Sequence, residues 1–437
     1  MQRLGIGRKL PSRQRRASNL RKIRIRGAGA VTPLGADLPS SWKALLAGEM
    51  TLRREGAPLD ETLQDYPIGR AKLEEAIERE GLRPQELRRL DPVAQLSLCA
   101  AHEALRDAGW ERGSSEDGTP TSDPRFGVVM GVGYGATTTH LQTMEKLQAG
   151  RAARLSPFTI PATMPNASAS QLAMAFGAQG PALTVGTACA SGSDAVGVAF
   201  QLLQAGMADR ILCGGAEWIG DDMGVGGMSA AKALGKAVEG DCDVLKPFDV
   251  DRNGTAVGTG AAMFLLEAVE EDAKGVNLLG YGCSSDAHHI TAPLPDGAGA
   301  EQSMRAALQS AGLAPDAVTA IYAHGTGTPL NDAMEAEAVA RIFASVPPIT
   351  STKGQYGHAM GASGALNLAF AVQTVREGVI PPTRPCPHPD PSLAVRPLLE
   401  QDGPKHSTGA VLVNAFGFGG HNASLLLGPT PGSGHEG

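Results

Sequence analysis

Short apolar segments of strand character recur along this chain, closed by glycine or proline, and several are followed by a stretch with helical spacing. This alternation restricts the fold to α/β sheets covered by helices. Strand-like runs fall at residues 23–28, 126–130, 182–185, 210–213 and 261–266, and again at 320–323, 349–351 and 411–414. Helices are predicted over 40–47, with Ser40 or Ser41 as cap, over 91–109 between Asp91-Pro92 and Gly109, and over 195–203, 300–311, 335–343 and 364–375. The series restarts near Asn277, so two comparable halves are expected, residues 23–272 and 273–430, with no readable sequence repeat between them.

Residues 1–22 stand apart: eight Lys or Arg side chains occur there with no acid. This basic extension reads as disordered, with an organelle transit segment as the other reading. Residues 113–124 (GSSEDGTPTSDP) read as a polar surface loop. The net charge of -7 over 437 residues gives no reason to expect nucleic acid as a partner, and no apolar run approaches the roughly 18 residues of a membrane span. Six cysteines without C-x-x-C spacing suggest neither a zinc site nor a disulfide framework, which favours a reducing compartment and a cytoplasmic protein.

The sharpest chemical feature is Thr187-Ala188-Cys189-Ala190-Ser191-Gly192, between the strand at 182–185 and a helical run. Strand, tight turn and helix start would place Cys189 at the positive end of a helix, where a thiolate is favoured. Small neighbours admit an acyl thioester, and the Cys189 N–H can help hold an oxyanion. His324 (HGTGTPLND) and His358 (KGQYGHAMGA) each sit in a glycine-rich loop after a strand. Each alone is more often structural; with the helix-start cysteine they form a catalytic set. The loop 414–422 (NAFGFGGHN) contains Phe416 and Phe418 and would supply a second oxyanion N–H or an aromatic gate, against a plain hairpin turn as the bland reading. Gly131-Val132-Gly133-Tyr134-Gly135-Ala136 meets the loose dinucleotide pattern, but residues 137–143 open poorly as the helix that pattern needs. A substrate-pocket loop is the preferred reading there.

The loops TACASG, HGTGTPLND, STKGQYGHAMGASGA and NAFGFGGHN, in this order, make the chain from Ile23 to Leu427 resemble the β-ketoacyl-acyl-carrier-protein synthases of the elongating type, which also serve type II polyketide synthesis. The resemblance implies a thiolase fold with two similar mixed-sheet halves in five αβαβα layers. It implies decarboxylative condensation of malonyl-carrier with an acyl group on Cys189, in fatty acid or polyketide synthesis. By position, His324 and His358 match the pair that contacts the malonyl thioester, and Lys353 the lysine supporting the second of them. Thr326, Thr328 and Thr291 match contacts to the pantetheine arm, Asp332 and Glu335 the acids that order the loop, and Phe418 a gate. No tightly bound cofactor or metal is implied. The substrates ride on the phosphopantetheine of an acyl carrier protein, and the assembly is a homodimer or a heterodimer with a related subunit.

Three departures from the family pattern bear on substrate and competence. Asn367 and Thr259 stand where acids are usual, and Tyr134, which with Met228 falls on the acyl pocket, is bulkier than the usual aliphatic residue. They suggest a short acyl pocket, and leave open a catalytically reduced carrier-binding scaffold or partner subunit as the alternative function.

Overall fold

The computed structural model describes residues 21–54, 60–113, 121–238, 241–270 and 275–429. The basic segment before Arg21 and most of the polar loop at 113–124 lie outside these residues. Of the basic stretch, Arg21 forms an ion pair with Asp209 at 2.9 Å, and Lys22 already opens the first strand.

Five strands make the first half of the main sheet: β1 (Lys22–Val31), β2 (Phe126–Gly131), β3 (Ala182–Val185), β4 (Arg210–Glu217) and β5 (Gly260–Val269). Five make the second: β6 (Val276–Ser285), β7 (Val318–Tyr322), β8 (Ile349–Thr350), β9 (Ala410–Gly417) and β10 (His421–Pro429). In space the order is β8-β7-β9-β10-β6-β1-β5-β4-β2-β3. Each half therefore has the same pattern, third strand, second, fourth, fifth, first, with the first three of these parallel and the last two joined antiparallel. The halves meet where β1 pairs antiparallel with β6, Ile23 opposite Leu278.

The helices repeat as well. In the first half α1 (Pro92–Asp107) links β1 to β2, α2 (Thr137–Gln148) and α3 (Ala167–Phe176) link β2 to β3, and α4 (Ser191–Gln204) links β3 to β4. In the second, α5 (Ala298–Ala311), α6 (Pro329–Ile342) and α7 (Ser363–Glu377) take the corresponding places. α1 and α3 cover one outer face and α5 with α6 the other, while α4 and α7 pack against each other and against strands of both halves. That gives five layers. The central position explains why α7 is buried all round from Ser363 to Thr374, a helix without a polar face.

Small residues set how closely the central helices approach. A Cβ on Gly192 would lie 3.0 Å from the Ala365 Cβ, and one on Gly364 would lie 2.1 Å from Ser193 Oγ. Both positions require glycine for this crossing, and the crossing brings the two helix starts, with the loops before them, to one place.

Several helix readings change: α6 starts at Pro329, six residues before the expected Glu335, and α4 at Ser191, four before Ala195. Leu38–Ala47 starts earlier than expected and is capped by Asp37, whose carboxylate accepts from Ser40 N at 2.6 Å. Residues 137–148 do form a helix, although its own cap residue, Ala136, has no side chain to offer. The missing acceptor comes from Asp91, which takes both the N–H and the hydroxyl of Thr139 at 2.8 Å. A tertiary cap of this kind leaves no local mark in the sequence.

Candidate active site

The turn before α4 is built by side chains on either side of Cys189. Ala188 is held at φ 50, a left-handed conformation costly for a residue with a Cβ, on the order of 1 kcal/mol. The Ser191 hydroxyl donates to Ala188 O at 2.7 Å and accepts from Thr187 N at 2.9 Å. Thr187 in turn donates to Asp194 at 2.6 Å, and Tyr281 donates to the other Asp194 oxygen at 2.7 Å. Cys189 follows this braced turn, and the backbone N–H groups of Phe418 and of Cys189 itself favour its ionised form.

The thiol is nevertheless not a resting thiolate. Burial pushes it up to about 11, outweighing the Phe418 N–H and the Lys353 charge that pull it down. The expectation of a thiolate favoured by the helix end is corrected here: desolvation exceeds the helix-end contribution.

His324 follows β7 and His358 precedes α7, and their rings meet edge to face with centroids 5.2 Å apart. Burial, with the Lys353 charge acting in the same direction, holds both imidazoles well below their ordinary range, so both are neutral at pH 7. His358 Nδ1 shares a 2.6 Å hydrogen bond with Ser363 Oγ, which leaves its Nε2 for the cavity. His324 stacks edge-on against Phe416 at 5.8 Å.

Lys353 is fully buried, and its ammonium donates to the carbonyl of His324 at 2.5 Å. It therefore anchors the first histidine, whereas the resemblance assigned it to the second. Burial pulls it down to about 8, opposed chiefly by Glu335. Asn367, where the family pattern has an acid, is neutral and satisfied: it accepts from Thr352 at 3.1 Å and donates to Ala323 O at 3.0 Å. Thr259 likewise accepts from Ala71 N at 2.8 Å. The acid that balances Lys353 is Glu335, so neither departure leaves the lysine without a counter-charge.

The two loop-ordering acids act on main-chain amides. Glu335 accepts from His324 N and Gly325 N, each at 2.9 Å, and from Asn414 Nδ2. Asp332 accepts from Thr326 N, Gly327 N and Phe248 N. Both are fully buried, and burial raises both carboxyls.

One cavity of about 270 Å³ is lined by Cys189, His324, His358, Phe416, Phe418, Met228, Thr291, Thr326 and Thr328. Nine residues singled out from sequence, drawn from six separate segments, thus converge on it. Lys353, Asp332 and Glu335 do not line it and support those that do. Tyr134 does not line it either. It is 45% exposed at the surface of the chain, though close enough to Cys189 for their charges to interact. The Gly133–Gly135 amides of its loop are occupied by the carboxylate of Glu217, so no phosphate cradle is open there. Sequence reasoning missed Glu217, Asp194, Tyr281 and the cavity-lining pair Asp286 and Asn422. Glu217 did leave a signal, an acid ending an otherwise apolar, glycine-rich strand.

A cysteine at a helix start beside two neutral imidazoles in one cavity is an arrangement suited to acyl transfer. Residues 20–272 match the β-ketoacyl synthase N-terminal domain and residues 276–386 the C-terminal domain. The chain is 34% identical over 435 residues to the mitochondrial 3-oxoacyl-[acyl-carrier-protein] synthase of Arabidopsis thaliana, covering 93% of each chain. It is 33% identical over 429 residues to 3-oxoacyl-[acyl-carrier-protein] synthase 2 of Staphylococcus aureus, covering 94% of this chain and 99% of that one. Among solved structures it superposes on the ishigamide ketosynthase/chain length factor with a TM-score of 0.80 at 27% identity, over 94% of this chain and 99% of that one. The chain belongs to the β-ketoacyl synthase family; its fold is the thiolase fold, and it is an enzyme of the acyltransferase type.

Proposed function

We propose that the chain condenses an acyl group held on Cys189 with a malonyl group delivered on a carrier protein, in fatty acid or polyketide synthesis. The observation that carries this reading is the single cavity that joins the Cys189 sulfur to the two neutral histidines.

In the first half-reaction the Cys189 sulfur attacks the carrier thioester. Its proton passes to a neutral imidazole, and the pantetheine thiol leaves with a proton. The tetrahedral oxygen takes hydrogen bonds from the N–H groups of Cys189 and Phe418, both of which favour negative charge at this place. In the second, the malonyl carboxylate departs as carbon dioxide, and the enolate oxygen left behind takes hydrogen bonds from His324 and His358. The α-carbon then attacks the acyl-Cys189 carbonyl, releasing the β-ketoacyl-carrier and a Cys189 thiolate that takes up a proton from solvent to return the thiol. Neutral imidazoles suit this step because each can donate an N–H without carrying charge into a buried site. The Lys353 ammonium favours the developing negative charge, and Thr326, Thr328 and Thr291 along the cavity suit the amides of a pantetheine arm.

The division into halves at residues 272 and 273 is supported by the repeated strand order. A second subunit, identical or related, is supported by β3. This strand is a free sheet edge among the described residues; Leu183 on it, Met164 and Met174 in the segment before it, and Tyr134 just after the neighbouring strand β2 are all exposed. A partner seated on that edge would also cover Tyr134, which gives the short-pocket reading a physical route. No helix among the described residues is long and apolar enough to cross a membrane; we place the enzyme in the cytoplasm, with an organelle as the alternative. A scaffold without turnover is not favoured, since Asn367 and Thr259 are both satisfied. The deciding experiment supplies carboxyl-labelled malonyl-carrier and an acyl-carrier. Labelled carbon dioxide and an acyl adduct on Cys189 are expected, and the absence of both from wild type would reject condensation.

A further inference from the structure

One buried acid has no part in the chemistry above. Glu217 closes β4, is fully buried, and takes its hydrogen bonds from main-chain amides alone: Gly133 N at 2.8 Å, Tyr134 N and Gly361 N at 3.2 Å, and Gly135 N at 3.3 Å. Three of these belong to the loop after β2 and the fourth to the turn before α7, so the carboxylate ties the first half to the second.

The place it occupies is defined by a short internal repeat. Ala188-Cys189-Ala190-Ser191-Gly192 opens α4, and Met360-Gly361-Ala362-Ser363-Gly364 opens α7. Both begin with a left-handed residue that is not glycine, Ala188 at φ 50 and Met360 at φ 37. Both make one 3₁₀ turn, Ala188–Ala190 and Met360–Ala362, before the helix. The serine of each uses its hydroxyl on the turn before it, Ser191 on Thr187 and Ala188, Ser363 on His358. In the first half the Cys189 N–H and the Phe418 N–H just past β9 both favour negative charge at the Cys189 sulfur, beside which the proposed reaction forms its oxyanion. In the second, Gly361 stands in the place of Cys189, and its N–H points at the last residue of β4, the strand equivalent to β9. A Cβ on Gly361 would lie 2.3 Å from Gly133 N and 2.8 Å from a Glu217 oxygen, so no nucleophile fits there.

We propose that the start of α7 is a second oxyanion site, filled permanently by the Glu217 carboxylate, and that Glu217 is a positioning residue which fixes the His358 turn and the Tyr134 loop relative to Cys189. The carboxylate does what a transient oxyanion does at the other helix start, but it never leaves, so the turn that carries His358 stays in one conformation through the cycle. A charge is the natural occupant because four amide donors converge on it, whereas the amide of Gln would present its own N–H groups to some of them. Burial opposes ionisation and raises the carboxyl to about 7, and the ionised form also raises the Cys189 thiol. The charged or titratable groups that interact with Cys189 are Glu217 and Lys353, and Tyr134 interacts with both Cys189 and Glu217.

The role in catalysis rests on the condensation reading; the anion site itself does not. The test compares wild type with Glu217→Gln and Glu217→Ala in the full-length chain. For Glu217→Gln, kcat for condensation is expected to fall about tenfold or more, with the KM for malonyl-carrier within about twofold. The pH profile of Cys189 alkylation by iodoacetamide is expected to move down by roughly half a unit, because a nearby negative charge is gone. For Glu217→Ala, sodium formate is expected to raise the melting temperature and to move the Cys189 alkylation profile back up in pH, while neutral formamide does neither and wild type responds to neither. An unchanged kcat and alkylation profile in Glu217→Gln would overturn the positioning role. Glu217→Ala that ignores formate would overturn the anion site, and this arm stands even if Glu217→Gln folds poorly. A wild type that releases no carbon dioxide, beside a formate response in Glu217→Ala, would reject condensation and keep the anion site.

Discussion

The first half places a cysteine at the start of α4 where the second half places a glycine at the start of α7, and the surroundings of each differ accordingly. Around Cys189 the turn is braced from behind by Ser191, Thr187, Asp194 and Tyr281, and the amide side is left open to the cavity. Around Gly361 the amide side is filled, and the chemistry has moved three residues upstream to His358. The loops after the second strands differ in the same sense. In the first half the amides of Gly133, Tyr134 and Gly135 are gathered by Glu217 and present no acid or base; in the second, those of His324 and Gly325 are gathered by Glu335, and the loop presents an imidazole. One architecture used twice thus supplies the nucleophile from one copy and both histidines from the other. A buried glutamate stiffens each loop.

Removing the nucleophile should break the comparison most severely. Cys189→Ala is expected to lose at least about 10³-fold in condensation and to show no acyl adduct by intact-protein mass spectrometry. Lys353 belongs to the second half, and its charge also acts on Cys189 in the first. Its ammonium, pulled down to about 8, loses its proton as pH rises through that value, so kcat/KM should fall on the alkaline side of 8. Lys353→Met should lower kcat on the order of 10²-fold and remove that limb from the pH profile. The close crossing of α4 and α7 is tested by Gly364→Val, which forces a side chain into Ser193 and should cost about 1–3 kcal/mol in urea unfolding.

Glu217 makes a smaller and pH-dependent difference. Its folded value of about 7 lies above the ordinary 4.5, so the folded chain binds the proton more tightly than the unfolded chain. The stability this contributes is complete below about pH 4.5 and is lost as pH rises through 7. Wild type should therefore lose more stability between pH 5 and 7.5 than Glu217→Gln does, a difference on the order of 1 kcal/mol readable from urea midpoints. The smallest effect is expected at Tyr134. Tyr134→Gly should raise turnover of longer acyl-carriers a few-fold over short ones, and equal turnover of both in wild type and variant would remove Tyr134 from the acyl pocket.

The residues that touch substrate in this reading were legible in the sequence because each sits in a short glycine-rich loop after a strand, and such loops are local features. Cys189, His324, His358 and Phe418 needed no tertiary information to be noticed. The strands were legible as apolar runs, although β4 runs on to Glu217, past the expected end at Cys213, because its later residues are small rather than branched. What escaped is held by distant partners: Asp91 capping α2, Tyr281 reaching Asp194, and Glu217 collecting amides from residues 133–135 and 361. The internal repeat also escaped, since ACASG and MGASG differ at two of five positions, one of them the residue that matters most to each. They become equivalent only when Ala188 and Met360 are seen in the same left-handed conformation.

The free edge at β3 carries a consequence for handling the molecule. Its unpaired amides and carbonyls, with Leu183 42% exposed, invite any extended chain to add as a further strand. In the proposed pair a partner covers this edge and the addition stops there, whereas in an isolated chain the edge is open among the described residues. Dilution below the concentration at which partners pair is therefore expected to cloud the solution rather than yield a quiet monomer, and a charged residue in place of Leu183 should trade that turbidity for a soluble single chain.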